Sequence, residues 1–218
     1  MNITYLIDQV DIATYGVHVS ASDGLLSKPS YKKGLAHNWA DYHGEVIDLS
    51  RRYYEPRDIK LDCFIIAETK ELFLTQCNTF LSVFEQTGTR RLTVTVDPTK
   101  PLLYEVLMDS DIDIKKVWND GQMVGRFILK LKEPEPLKRV IKYTRTSDAN
   151  KTVTLTITTA KLVNIYWGDG THTYDVSGTS QVVTHNYLAN GIFFIVITGN
   201  IDEITSLTHN GILIWSKL

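Results

Sequence analysis

A chain of 218 residues, 43% hydrophobic and 22% charged, can bury one large core or two modest ones and has the balance of a soluble globular protein. Its formal net charge of -2 and the absence of a dense Lys/Arg block leave no electrostatic footprint for nucleic acid. No apolar run approaches the ~20 residues of a membrane span, and Asp8 and Asp11 interrupt what would be the apolar core of an export signal, so neither is expected.

Taken in order, Asn2 to Asp8 and Ile12 to Val19 read as short strands, followed by a long polar segment from Ser20 to Tyr54. Segments of that length without regular structure usually carry function or lie against a partner. The stretch from Arg57 to Val96 then reads as strand, helix, strand. Ile59, Leu61, Cys63 and Ile65 alternate with Lys60, Asp62 and Phe64, the period of a strand with one buried face. Thr69 is the expected N-cap, and Glu71 suits the positive end of the helix dipole. Phe73, Cys77, Phe80 and Phe84 recur at helical spacing, Gly88 is placed at the helix end, and Leu92, Val94 and Val96 share a face of the next strand. Cys63 and Cys77 read as small buried hydrophobes, not as a disulfide, which fits a reducing compartment.

Leu102 to Met108 and Ile112 to Trp118 are the next expected strands. Asn119-Asp120-Gly121-Gln122 is a hairpin signal, with Met123 to Leu131 as the return strand. Glu133-Pro134-Glu135-Pro136 cannot continue a central strand or a helix, so a domain boundary is placed there, dividing the chain into 1-136 and 137-218. Beyond it, Lys151 to Thr159, Leu162 to Trp167, Gln181 to His185, Ile192 to Thr198 and Ile212 to Trp215 are strand-like at regular spacing, the pattern of a small β-sandwich. The fold class expected is therefore mainly β: an N-terminal β-sandwich or barrel with one flanking α-helix, then a small immunoglobulin-like sandwich.

The sharpest local motif is Trp167-Gly168-Asp169-Gly170, followed by His185-Asn186-Tyr187 and Gly191-Ile192-Phe193. Glycines on both sides of Asp169 give the backbone freedom to turn, and the carboxylate can bond its own downstream amides. Tyr187 can bury its ring while its hydroxyl reaches backbone. This set resembles the PKD (polycystic-kidney-disease) repeat, an immunoglobulin-like sandwich with a W-G-D-G-like turn and a later H-x-Y. The resemblance implies a structural role for Trp167, Gly168, Asp169, Gly170, His185 and Tyr187, and Asp169 has no second carboxylate close in sequence to complete a Ca²⁺ site.

His37, Asp41 and His43, with Glu45 and Asp48 behind them, match no compact zinc spacing and read as a polar loop ordered by Trp39 and Tyr42. Asp109, Asp111 and Asp113 alternate, so they are expected on one face of a strand as an acidic edge. Lys32-Lys33 and Arg51-Arg52 are isolated basic pairs. Nucleophile, phosphate-loop and metalloprotease motifs are absent, so no catalytic residue and no cofactor is expected.

Four pieces of the first half, in order, resemble the N-terminal domain of the distal tail proteins of long-tailed phages. They are Tyr15-Gly16-Val17-His18-Val19 with Asp23-Gly24-Leu25 and Lys28-Pro29, then Arg57 to Ile65, Arg90 to Val94, and Arg126 to Leu131 before the Pro-rich exit. The resemblance implies a structural virion protein of the tail hub, a hexameric ring between tail tube and tail tip. It also implies contact with the tube, tape-measure and tail-tip proteins, and assembly in the bacterial host cytoplasm. Trp39 and Tyr42 are the aromatic anchors expected at the contact between copies. The alternative is a cell-surface binding or adhesion protein that presents the PKD-like module.

Overall fold

The computed structural model describes residues 3–48, 50, 52–119 and 121–218. The hairpin β1 (Thr4–Ile7) and β2 (Val10–Asp11) turns through Asp8 and Gln9, both at positive φ, as a two-residue turn between twisted strands requires. The stretch from Ile12 to Val19 is not one strand. Asp11 accepts a hydrogen bond from the Ala13 amide at 2.9 Å and starts a 3-10 turn over Ile12–Tyr15, which Gly16 closes at φ 72. Only then does β3 (Val17–Asp23) begin. The polar segment after it holds one small hairpin, β4 (Ala36–His37) with β5 (Val46–Ile47), and a bridge between Tyr31 and Tyr54.

In β6 (Arg57–Ala67) the expected alternation is realised, with Ile59, Leu61, Cys63, Ile65 and Ala67 buried. The helix α1 (Lys70–Ser82) is capped by Thr69, whose hydroxyl accepts from the Leu72 amide at 3.1 Å. Phe73, Cys77 and Phe80 are its buried stripe, and Phe80 meets Phe84 edge-on and Phe127 at a tilt. Gly88 does not cap this helix. The helix ends at Ser82, Val83 keeps right-handed geometry, and Gly88 turns the chain later at φ 85, next to β7 (Arg90–Thr95). Val96 lies beyond β7 and is exposed, so it does not join Leu92 and Val94 in the core.

Next come β8 (Leu102–Met108), β9 (Lys115–Asn119) and β10 (Gln122–Glu133), the last two closing the expected hairpin; residue 120 lies outside the described residues. Residues 109–114 are not a strand, so Asp109, Asp111 and Asp113 do not share a strand face; Asp109 pairs with Lys132 at 2.9 Å. The first sheet runs β2-β1-β7-β8-β10-β6-β3, with β9 on β10, over a core that α1 covers on one side.

The second sheet is made by β11 (Arg139–Arg145), β12 (Thr152–Tyr166), β13 (His172–Asn186), β14 (Gly191–Gly199), β15 (Ile204–His209) and β16 (Ile212–Trp215). The segments expected separately at Lys151 to Thr159 and Leu162 to Trp167 are one long strand, β12, and Gln181 to His185 is part of β13. The first half of β12 pairs with β15 and its second half with β14, while β13 follows it along its length. Register shifts between Ile157 and Ile165 bend this pair, and bulges of that kind let one strand serve two layers. The layers enclose Val153, Leu155, Ile157, Val163, Ile165, Ile195 and Ile197. The architecture is thus mainly β with one α-helix, as the residue pattern predicts.

Candidate functional site

Trp167, Gly168, Asp169, Gly170, His185 and Tyr187 are brought together at the β12–β13 turn. Gly168 and Gly170 sit at φ 95 and 90, and the Trp167 amide bonds the Thr171 carbonyl at 3.0 Å. One oxygen of Asp169 accepts from the amide and hydroxyl of Thr171 at 3.1 and 2.6 Å; the other meets His185 Nε2 at 2.7 Å. The His185 ring stacks on Trp167 with centroids 5.0 Å apart, and the Trp167 indole donates to Thr173 Oγ1 at 3.0 Å. Beneath them Tyr187 donates its hydroxyl to the Trp167 carbonyl at 2.7 Å and stacks on Phe193. Burial pushes the Asp169 carboxyl up, but the bonds from Thr171 and His185 outweigh it and hold the group below its ordinary range. Burial also raises the Tyr187 phenol, which therefore stays a donor. The Asp169 carboxylate, the Trp167 indole and the Tyr187 hydroxyl are thus all engaged within the turn.

That turn is also one wall of a seam between the two sheets. The Gln9 side-chain amide donates to the Gly168 carbonyl at 2.5 Å. Arg91, inward-facing on β7, donates Nε to Glu105 at 2.6 Å and reaches the Phe194 carbonyl across the seam. Leu103, Val140 and Val196 form a small cluster there, with Trp215 donating to the Pro101 carbonyl at 3.1 Å. Further along lies a buried charged group. Glu133, at the end of β10, contacts Lys138, and Arg57 Nε faces its other oxygen at 3.1 Å, off the hydrogen-bonding direction. Both cations lie over the ring of Tyr104. Burial lowers Lys138 to about 8 and raises Glu133, against the opposing pull of their mutual attraction. Glu135, between the prolines, accepts from Asn164 at 3.0 and 3.1 Å. The Pro-rich segment is therefore tied down on both of its carboxylates.

These seam residues escape a motif search. They were visible only as charges in the inward phase of otherwise apolar strands: Arg57 in register with Ile59 and Leu61, Glu133 with Leu129 and Leu131.

Trp39 and Tyr42 stand on the loop between β4 and β5, 57% and 58% exposed. Trp39 stacks on His37 with centroids 5.8 Å apart and belongs to neither core among the described residues. Around them Leu35, Val46 and Ile47 are exposed too. Asp41, His43 and Glu45 are exposed on the same hairpin, and Asp48 accepts from the Ser50 amide at 2.9 Å. No group of three or more His, Cys, Asp or Glu side chains is arranged to hold a metal among the described residues. Lys32 and Lys33 are exposed, Arg52 lies over Tyr31, and Arg51 is outside the described residues. Cys63 and Cys77 are free and buried, and burial pushes the Cys63 thiol up to about 12, the opposite of what a nucleophile needs.

Such a molecule is a packed β protein of two main sheets with an exposed aromatic hairpin. No protein-family model and no curated protein matches the chain. Its fold is similar to that of SPP1 Dit (gp 19.1), whose crystal structure is described as a paradigm of the hub adsorption apparatus in phages that infect Gram-positive bacteria. The TM-score is 0.52 at 15% sequence identity, over 90% of this chain and 79% of that one.

Proposed function

We propose that the chain is a distal-tail-type structural protein of a phage tail hub, closing into a hexameric ring between tail tube and tail tip. The observation that carries this reading is the likeness to Dit, which spans both sheets and not one module alone. An exposed aromatic hairpin and polar groups spent on packing fit an assembly protein better than an enzyme. Its partners in this reading are other copies of itself and the tail-tube, tape-measure and tail-tip proteins. It works in the virion tail and is put together in the host cytoplasm. Residues 1-136 and 137-218 are two domains, the second a PKD-like module whose Trp167 turn is structural.

The test is light scattering and negative-stain imaging across concentration, alone and co-expressed with the products of neighbouring genes. Closed rings of about six copies are expected, since a head-to-tail contact makes a ring when its rotation divides a full turn. A strict monomer under every condition would sink the hub reading in favour of a surface-binding protein.

A further inference from the structure

The outer face of the first sheet should be polar, because an antiparallel sheet that covers a core on one side usually faces water on the other. At the end of β6 it is not. Phe64, Ile66, Val124 and Ile128 line a groove of about 900 Å³, with Ile66 and Ile128 exposed. Two of its basic residues face other cations across strands: Arg126 is directly opposite Lys115, and Lys130 is opposite Lys60, which lies outside the groove and has Asp23 on its other side. Like charges facing across strands destabilise a pair unless something answers them. Among the described residues, none of these four cations makes an ion pair. Asp62, Asp111 and Asp113 lie on the same rim, equally without ion pairs.

Elsewhere the chain exposes a hairpin of complementary composition. The β4–β5 hairpin is a protrusion with Trp39 and Tyr42 near its tip, flanked by Asp41 and Glu45, and with Lys32 and Lys33 at its base. Its tip carboxylates make no ion pair either. Hairpin and groove do not meet within one chain. The hairpin segment enters β6 at Arg57, none of its described residues lines the groove, and the groove spans Asp62 to Ile66, about 17 to 30 Å along the strand at its usual rise.

We infer that the groove over the end of β6 receives the β4–β5 hairpin of a second copy of this chain. Trp39 and Tyr42 lie on Phe64, Ile66 and Ile128, Asp41 and Glu45 face Arg126 and Lys115, and Lys32 and Lys33 face Asp111 and Asp113. Because knob and groove are different surfaces, the contact is head-to-tail, and each copy has one of each to offer. The inference rests on the tail-hub reading and names the surface by which its ring closes.

A double variant, Tyr42→Cys with Ile66→Cys, tests it, because the native cysteines are buried and do not compete. Mild oxidation should give a ladder of covalent multimers from the double variant and only dimers from an equimolar mixture of the two single variants. In parallel, Arg126→Glu should weaken association about tenfold or more, and Asp41→Lys in the same chain should recover part of it, as close charge pairs at interfaces do. Circular dichroism on each variant separates loss of contact from loss of fold. Multimers seen by light scattering without the ladder would overturn this contact and leave the hub reading standing. No multimer at any concentration, with or without tail partners, would overturn both.

Discussion

The seam between the sheets and the β4–β5 hairpin handle their awkward groups in opposite ways. At the seam the awkward groups are charges taken out of water, and each is answered within the chain: Glu133 by Lys138 and Arg57, Glu105 by Arg91, Glu135 by Asn164. On the hairpin the awkward groups are large apolar side chains left in water, and among the described residues Leu35, Trp39, Tyr42 and Ile47 all stay exposed. A lone exposed apolar residue needs no explanation, but a contiguous cluster of them marks an interaction surface. The comparison separates two kinds of specificity. The seam fixes how the two halves of one molecule meet, and the hairpin is left for another molecule.

The sharpest way to break the comparison is at Glu133. Replacing it with Ala leaves Lys138 and Arg57 buried without a counter-charge, which should cost about 3–5 kcal/mol. Urea denaturation should show it as a lower midpoint, and an unchanged midpoint would mean the seam's charges are solvated. A Glu133→Leu, Lys138→Met double variant should recover the part of the loss that comes from Lys138, since apolar packing often replaces a buried pair without penalty, and keep the part that comes from Arg57. The same site predicts a pH dependence. Lys138 sits at about 8 in the fold against an ordinary 10.5, so between those values the unfolded chain binds more protons and stability rises with pH. Above about 9 the unfolded thiols of Cys63 and Cys77 and the unfolded phenols of Tyr104 and Tyr187 lose protons that the fold retains, which opposes the rise. Between about pH 8 and 9 stability should rise less steeply in Lys138→Met than in the parent, and equal slopes would mean that Lys138 is not the group responsible.

Gly168 and Gly170 sharpen the comparison inside the turn itself. Both hold positive φ, so a Val at either should cost about 1–3 kcal/mol in backbone strain. At Gly170 a Cβ would meet open space, whereas at Gly168 it would lie 2.7 Å from the Phe194 carbonyl oxygen and 2.9 Å from the Arg91 guanidinium. Gly168→Val should therefore lower the melting temperature clearly more than Gly170→Val. Equal effects would show that the turn is not pressed against the seam.

Much of this was legible in the residues. The alternation of β6, the capped helix with its Phe73, Cys77 and Phe80 stripe, the hairpin before β10 and the Trp167 turn are local patterns, and local patterns survive into the fold. What failed was long-range. The union of two expected strands into β12 depends on bulges whose cause is the packing of β14 and β15 on either half, and no local signal announces that. β15 was not foreseen, because Ile204 and Leu207 alone do not make a period. Arg57 and Glu133 sit in strand phase but meet across 76 residues of chain, and Lys138, five residues past Glu133, lies in the connection between β10 and β11, where no period marks it for burial. The groove over β6 needs strand register before it exists at all.

A smaller effect is expected from acid. The Asp169 carboxyl is held below its ordinary range by Thr171 and His185. Its contribution is therefore present above the unfolded value near 4 and is lost as pH falls through the folded one. Asp169→Asn should lower stability at pH 7 by about 1 kcal/mol, the size of a net hydrogen bond. It should also flatten the pH dependence of unfolding below pH 4. A steep acid transition unchanged in the variant would place the responsible carboxylate elsewhere.

The smallest change in stability should come from Trp39→Ala, and here the two regions part most clearly. Trp39 is more than half exposed and belongs to neither core among the described residues, so its removal should move the unfolding free energy by no more than about 0.5 kcal/mol, as surface substitutions do. An aromatic anchor buried between copies behaves otherwise, because truncating it typically costs about 2 kcal/mol or more of association. The variant should thus unfold like the parent but need at least tenfold higher concentration to associate, measured by light scattering on the same preparation. Phe193→Ala, at the core of the second sheet, is the matched opposite: a large loss of stability from an aromatic stacked on Tyr187 inside the fold. If Trp39→Ala destabilises the chain as a core residue would, the hairpin belongs to the fold of its own molecule. If it changes neither stability nor association, the exposed aromatic cluster is surface without a partner.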